Sequence, residues 1–208
     1  MKNHSVPNPA VRRLSLYLRQ LEQLAAEGVT KVSSRQFADA LQVTSAKVRK
    51  DLAYFGQFGR PGVGYRVAPL IKQLRRILGT DKVWNVIVVG AGDLGRALLR
   101  YKGFENKGFQ VVAAFDVSAA KVGKSVGQVP VHHVDELAKV IRRHDVKLAV
   151  VATPPEVAQQ VADQLCAAGI MGILNFVPTT LQAPRDVTIR QVDIAAKLEQ
   201  LAFRVVSS

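Results

Sequence analysis

Residues 86–101, VIVVGAGDLGRALLRY, constrain this chain more than any other stretch. A β-branched run of strand length, VWNVIVVG at 83–90, leads into Gly90, Gly92 and Gly95 in a G-x-G-x-x-G spacing, and LGRALLRY continues as a helix. Each glycine has a physical task. Gly90 permits the tight turn from strand to helix, Gly92 lets a pyrophosphate approach the backbone, and Gly95 lets helix and strand pack closely. The free N–H groups and positive end of the helix then face the phosphates. A second apolar strand, FQVVAAFD at 109–116, ends in an acid that follows Gly95 by 21 positions. That is the spacing expected of the carboxylate that holds the adenosine ribose hydroxyls, and it assigns the role to Asp116. A carboxylate there repels a 2′-phosphate and favours NAD(H) over NADP(H).

The alternation of strands and helices continues. KLAVVAT (147–153), GILNF (172–176) and VTIRQV (187–192) read as strands, and PEVAQQVADQLCAAG (155–169) as a helix. A short strand near 130–134 and a helix over 135–143 fill the gap. The pattern is α/β, a Rossmann-type doubly wound parallel sheet, whose ligand loops follow the carboxyl ends of the strands. Those loops carry Thr153 and Pro154 in one place and Asn175, Phe176, Val177 and Pro178 in another; Phe176 reads equally well as core. A dehydrogenase usually carries a substrate domain beside such a sheet, whereas here DIAAKLEQLAFRVVSS follows it, and no His, Lys or acid stands convincingly at the expected nicotinamide end with a proton-transfer partner. No catalytic residue is therefore assigned. His132 and His133 are neighbours on a strand and point to opposite faces, so no metal site is expected. Cys166 reads as helix packing.

The first eighty residues read differently. AVRRLSLYLRQLEQLAAE at 10–27 sets Val11, Leu14, Tyr17, Leu18, Leu21, Leu24 and Ala25 on one helical stripe. Ser33 and Gln36 have capping-box spacing for a second helix that buries Phe37, Ala38 and Leu41. Thr44 or Ser45 caps a third, in which Val48, Leu52 and Phe55 face inward. Ser45, Ala46, Lys47, Arg49, Lys50 and Tyr54 are left on its outer face. Two short helices joined by a tight turn, the second cationic outside, form a helix-turn-helix pattern suited to the major groove. GQFGRPGVGYRV at 56–67 then predicts a β-hairpin or wing flanked by Arg60 and Arg66, and Pro69 suits the first position of a last helix ended by Gly79. The spacing predicts a winged-helix DNA-binding domain over 1–79, a dinucleotide domain over 80–192 and a terminal helix over 193–208.

Charge divides the chain at the same place. Residues 1–79 hold 14 Lys and Arg against 4 Asp and Glu, the remainder 15 against 12, within a net charge of +13. The basic first part suits double-stranded DNA as partner. One cysteine excludes an internal disulfide, and the absence of a signal peptide or long apolar span predicts a cytoplasmic protein without membrane contact. Ile194, Leu198, Leu201, Ala202 and Val205 make the last helix apolar on one side, to pack on its own domain or, as twofold DNA recognition favours, on a second copy. Two functions remain open on residues alone: a dinucleotide-sensing DNA reader and a small NAD(H)-dependent oxidoreductase with a basic appendage.

TSAKVRKDLAYFGQFGRPGVGY (44–65), VGAGDLGRALLRY, AAFDVSAAKVGK, ILNFVP and VDIAAKL together resemble the Rex family of redox-sensing transcriptional repressors over essentially the whole chain. The resemblance implies a homodimer with exchanged C-terminal helices. It implies binding to a palindromic operator, release by NADH, and binding permitted or favoured by NAD+. Cofactor residues by resemblance are the loop Gly90, Ala91, Gly92, Asp93, Leu94 and Gly95, with Asp116, Tyr101, Thr153, Pro154, Phe176 and Pro178. DNA contacts fall on the third helix and the wing tip, and Arg19 and Asp193 would couple the two domains. Asp93 departs from the family, whose members often carry Asn or a basic residue there. Its carboxylate repels a pyrophosphate unless it points away or pairs with Arg96.

Overall fold

Ser33 and Gln36 form the reciprocal cap that their spacing predicts: Gln36 N–H donates to Ser33 Oγ (3.1 Å) and Ser33 N–H to Gln36 Oε1 (2.8 Å). They start helix α2, Ser34–Leu41, which follows α1, Asn8–Ala26. Gln42, in left-handed conformation, turns the chain, and Thr44 caps α3, Ser45–Ala53. In the computed structural model, residues 8–59 and 63–207 are described, and the chain divides into two units, 1–82 and 83–208.

The first unit closes with α4, Val67–Ile77, and a two-stranded antiparallel ribbon, β1 (Lys31–Val32) with β2 (Tyr65–Arg66). Its core unites Leu14, Tyr17 and Leu21 of α1, Phe37 of α2, Val48 and Leu52 of α3, and Leu70 and Leu74 of α4. Tyr17 and Phe37 meet edge to face, with ring centroids 5.5 Å apart. The strand at 65–66 pairs with 31–32, far back in the chain, and residues 60–62, at the tip of the expected wing, lie outside the described residues. The reason for the pairing lies in burial: Val32 is buried, and Tyr65 packs on the same core. Helix α4 begins at Val67, so Pro69 is its third residue. First-turn N–H groups have no helical partner, and a proline fits there as well as at the first position. Val11 of the predicted stripe stays exposed.

The second unit is built on a seven-stranded sheet ordered β5-β6-β4-β3-β7-β8-β9. The strands are β3 (Trp84–Val89), β4 (Phe109–Asp116), β5 (Ser125–Val126), β6 (Val129–His133), β7 (Leu148–Val151), β8 (Gly172–Asn175) and β9 (Thr188–Gln191). All ladders are parallel except β5 with β6, an edge hairpin that the sequence reading lacked. Leaving β5 aside, this is the 3-2-1-4-5-6 order of a dinucleotide-binding sheet, and the strand order reverses between β3 and β7. Successive residues of β3 serve opposite faces. Ile87 and Val89 join the core beneath α6 (Leu137–Arg143) and α7 (Pro155–Ala167), and Val86 and Val88 join the one that includes Leu99 of α5 (Asp93–Leu99). Cys166 packs on the first of these cores. The last element, α8 (Ile194–Val206), is capped by Asp193, which accepts from Ala196 N–H at 2.9 Å. None of its residues is buried.

Candidate functional site

The glycine turn stands at the point where the strand order reverses. Gly90 has φ +98°, and a Cβ there would lie 2.3 Å from Ala152 O on the neighbouring strand's exit. A Cβ on Gly95 would lie 1.8 Å from Gly90 O, so the helix can approach the turn only as glycine. Gly92 is the opposite case: a Cβ there would meet nothing within 4 Å. The open side of the loop is therefore at Gly92, the N-cap of α5, where a phosphate would approach the backbone. Ala91 is buried and Leu94 partly exposed.

Asp116 ends β4 beside this turn. Its Oδ2 accepts from Ala91 N–H and from Lys121 Nζ, each at 2.9 Å, and its Oδ1 from Ser118 N–H at 2.9 Å. Burial works to raise its pKa, but the Lys121 ammonium and the two backbone N–H donors outweigh burial and hold it below the usual carboxylate range. Asp93 points outward, its side chain 98% exposed, and pairs with Arg96 at 2.5 Å. Its charge is thus met within its own helix.

At the exits of the other strands, the Thr153 hydroxyl is buried without a hydrogen-bond partner. Such a group is costly unless something completes it. Pro154 caps α7 at the same exit. Beyond β8, Asn175 is wholly buried and fully used. Its amide donates to Val177 O, Thr179 O and Gln191 Oε1, and its Oδ1 accepts from Val177 N–H. Gln191 Nε2 in turn donates to Val177 O at 2.5 Å. These bonds fix a loop that leaves Phe176 half-buried against the second core and Pro178 exposed. Tyr101, 60% exposed, stacks edge-on with Phe104. The residues at this end of the sheet fit a dinucleotide: an open glycine turn, an anchored acid, an uncompleted hydroxyl and a braced apolar loop.

In the first unit Ala46, Lys47, Arg49, Lys50 and Tyr54 are exposed along α3, with Ser45 half-buried. Arg49 Nη1 donates to Ser34 Oγ at 3.1 Å. Arg66 is exposed beside Tyr65, and Arg60 lies outside the described residues. Arg19 is exposed on α1. What the sequence reading missed is how α3 is held. Asp51, 1% exposed, accepts from Arg13 Nε, from Arg13 Nη2 (2.8 Å) and from the Tyr17 hydroxyl (2.8 Å). Burial opposes its charge, yet the Arg13 and Tyr17 bonds prevail and its pKa is lowered; burial and Asp51 push the Tyr17 hydroxyl up. A signal was available: Asp51 lies on the buried side with Val48 and Leu52, and Arg13 and Tyr17 are four apart on α1.

His132 and His133 do not converge. They approach Glu136 (3.6 Å) and Asp135 (3.0 Å) separately, and no cluster of three metal-ligating side chains occurs among the described residues. No helix among them is long and apolar enough to cross a membrane.

Known proteins resemble both units. Residues 81–179 match the family model described as a CoA binding domain, and residues 5–53 match that of a putative DNA-binding protein N-terminus. The redox-sensing transcriptional repressor Rex of Carboxydothermus hydrogenoformans is 46% identical over 99% of both chains. That of Streptomyces coelicolor is 46% identical over 97% of this chain and 78% of its own. Among solved structures, the Rex-family repressor RSP in complex with β-NAD+ and operator DNA superposes with a TM-score of 0.92 at 37% identity, covering 96% of this chain and 92% of that one. RSP in complex with β-NADH gives 0.88 at 35%, covering 97% and 94%.

Proposed function

The chain belongs to the Rex family of redox-sensing transcriptional repressors, and from that premise we propose that it binds a palindromic operator as a homodimer and leaves it when NADH occupies the second unit. The family is one of repressors, so the oxidoreductase reading falls. The observation that carries the proposal is the conjunction, in one chain, of an open glycine turn backed by an anchored acid and a cationic recognition helix held on a buried ion pair.

In this reading α3 enters the major groove. Lys47, Arg49 and Lys50 meet phosphates or guanine edges, Ser45 and Tyr54 reach phosphate oxygens, and Arg60 and Arg66 extend the contact along the wing. The N–H groups at Gly92–Leu94 receive the pyrophosphate, Asp116 the adenosine ribose, and the Thr153 hydroxyl a polar group of the ligand. Phe176, Pro178 and Tyr101 surround the nicotinamide. The bound dinucleotide supplies a redox-dependent charge: the oxidised ring is positive, the reduced ring neutral. An apolar surround prefers the neutral ring, because burying an unpaired charge is costly. A thousandfold preference is worth about 4 kcal/mol. That is enough to move a two-state dimer most of the way between DNA-competent and closed forms.

The exposed face of α8 supports the dimer. Ile194, Leu198 and Leu201 are each more than half exposed, and a second copy would cover them. Gln191, two residues before Asp193, is bonded to the loop that carries Phe176 and Pro178, so ligand loop and helix base are mechanically close. Arg19 and Asp193 are the proposed coupling residues. The protein would act in the cytoplasm, where NADH reports on metabolism.

The experiment is a fluorescence-anisotropy titration on a palindrome selected by the protein from random duplexes. NADH should weaken binding, NAD+ should not, and linkage requires the operator to weaken NADH binding by the same factor. Operator binding indifferent to NADH overturns the reading.

A further inference from the structure

The loop beyond β8 is held twice, and the two holds do different work. Asn175, wholly buried, holds it from within: its amide donates to Val177 O (3.3 Å) and Thr179 O (2.9 Å), and its Oδ1 accepts from Val177 N–H (2.9 Å). Gln191 holds it from the neighbouring strand. Its Nε2 donates to Val177 O (2.5 Å), and its Oε1 accepts from Asn175 Nδ2 (2.7 Å). Asn175 by itself satisfies the loop backbone at Val177 and Thr179, so the loop keeps its shape without Gln191.

Gln191 closes β9, the edge strand, and stands opposite Asn175 in the parallel ladder. The backbone bond that follows, from Val192 N–H to Asn175 O (2.8 Å), stops short of the loop. The Gln191 side chain reaches past that point to Val177, which is buried between Phe176 and Pro178, the residues expected at the nicotinamide. In the other direction Asp193, two positions on, caps α8 through its bond from Ala196 N–H (2.9 Å). One side chain thus joins the middle of the ligand loop to the strand end from which α8 departs. Gln191 is itself exposed, so its replacement opens no cavity in the core.

We propose that Gln191 is a positioning residue of the sensor: it makes the ligand loop and the base of α8 move as one piece, so that occupancy at the loop reaches the helix, while it adds little to holding the ligand. The proposal rests on the reading above of a repressor released by NADH. A ligand shifts an equilibrium only through its different interactions with the two states, so the loop it touches must differ between them together with α8. A backbone ladder that stops at Asn175 lets the loop shift by itself. A donor fixed on Val177 O does not, because moving the loop alone breaks that bond. Substitutions at such junctions change the coupling between two sites by about 2- to 30-fold.

The test pairs two titrations on the full-length wild type, Gln191→Leu and Gln191→Lys: calorimetry of NADH, and fluorescence anisotropy on the selected palindrome with and without saturating NADH. Leucine keeps bulk but has no polar atom, and lysine keeps a donor for Val177 O. In Gln191→Leu the NADH affinity should stay within about threefold of wild type, because Asn175 still holds the loop. The factor by which NADH weakens operator binding should fall about tenfold. Gln191→Lys should keep most of that factor, which separates the role from any loss of folding. A full response in Gln191→Leu overturns the proposal, and so does an equal loss of response in both variants. A loss of NADH affinity as large as the loss of response makes Gln191 a brace of the loop alone and overturns it too. A wild type whose operator binding ignores NADH overturns the reading beneath it as well.

Discussion

Asp51→Asn is the perturbation whose outcome the structure fixes most tightly. The carboxylate is 1% exposed and takes two bonds from Arg13 and one from Tyr17, joining α1 to the helix that would read DNA. An amide of the same shape carries no charge and turns a donor toward Arg13 or Tyr17. Breaking one side of a buried ion pair costs about 3–5 kcal/mol. The Arg13 side chain remains 21% exposed and recovers some water, which places the loss near the low end, about 3 kcal/mol. In a unit of this size each kcal/mol shifts Tm by roughly 4–8 °C, so a fall of about 12–24 °C is expected. Urea unfolding of the full chain followed by far-ultraviolet circular dichroism reads the helices of both units, and the first unit's transition is the part of that signal that the second unit does not account for. Fluorescence of Trp84, the only tryptophan, reads the second unit separately. The triple variant Arg13→Met, Tyr17→Phe, Asp51→Leu should regain most of the loss, because a well-packed apolar replacement of a buried ionic cluster is often neutral. The pH dependence has a definite sign. A folded-state pKa held below the unfolded value stabilises above the ordinary carboxylate range and is lost as pH falls through the folded value. The gap between wild type and Asp51→Asn should therefore narrow below about pH 4. A first-unit transition within about 1 kcal/mol of wild type at neutral pH would refute the reasoning.

Gly92→Ala and Gly95→Ala form a contrasting pair. The first adds a Cβ to open space and should keep Tm while weakening NADH binding at least about tenfold; the second drives a Cβ into Gly90 O and should lower Tm by several degrees. Thermal melts with NADH calorimetry check both. Thr153→Val removes a buried hydroxyl that has no partner, so the ligand-free protein should be as stable or slightly more so, while NADH binds more weakly. Lys47→Ala and Arg49→Ala should each weaken operator binding and, where the lost contact is to phosphate, lower the slope of log affinity against log salt by about one unit. Unchanged affinity at both positions would mean that the recognition face lies elsewhere.

Much of this was legible in the sequence because it is local. The Ser33–Gln36 cap, the Thr44 cap, the glycine turn and the acid 21 positions beyond it each depend on residues within one or two turns or one βαβ unit. What escaped depends on chain return. The pairing of Lys31–Val32 with Tyr65–Arg66 spans more than thirty residues, and nothing in either dipeptide specifies it. Asp51 reads locally as one acid in a basic helix; only Arg13, 38 positions earlier, gives it a reason to be buried. Lys121 belongs to a short polar loop, and its return onto Asp116 is set by its backbone bond to Ser118 O and by that of Gly123 to Val131 O on β6. Asn175 was visible as a strand-end residue, but its partner Gln191 comes from the next strand.

The same bonds say why a fold shared with dehydrogenases can serve here as a sensor. Hydride transfer to or from a carbonyl needs a group able to give and take a proton near neutral pH. At the ligand end of this sheet, the acid whose titration is displaced is Asp116, and it is displaced downward, away from neutrality. It is an anchor, charged throughout the physiological range. Asn175 has its amide fully engaged in holding the loop, and Thr153 brings a hydroxyl, which is a contact and not a proton carrier at neutral pH. On the proposed reading, Asp116, Asn175 and Thr153 serve to hold a ligand still while its charge is registered. That arrangement suits a signal that must persist as long as the ligand is bound, because a site that consumed NADH would erase what it reads.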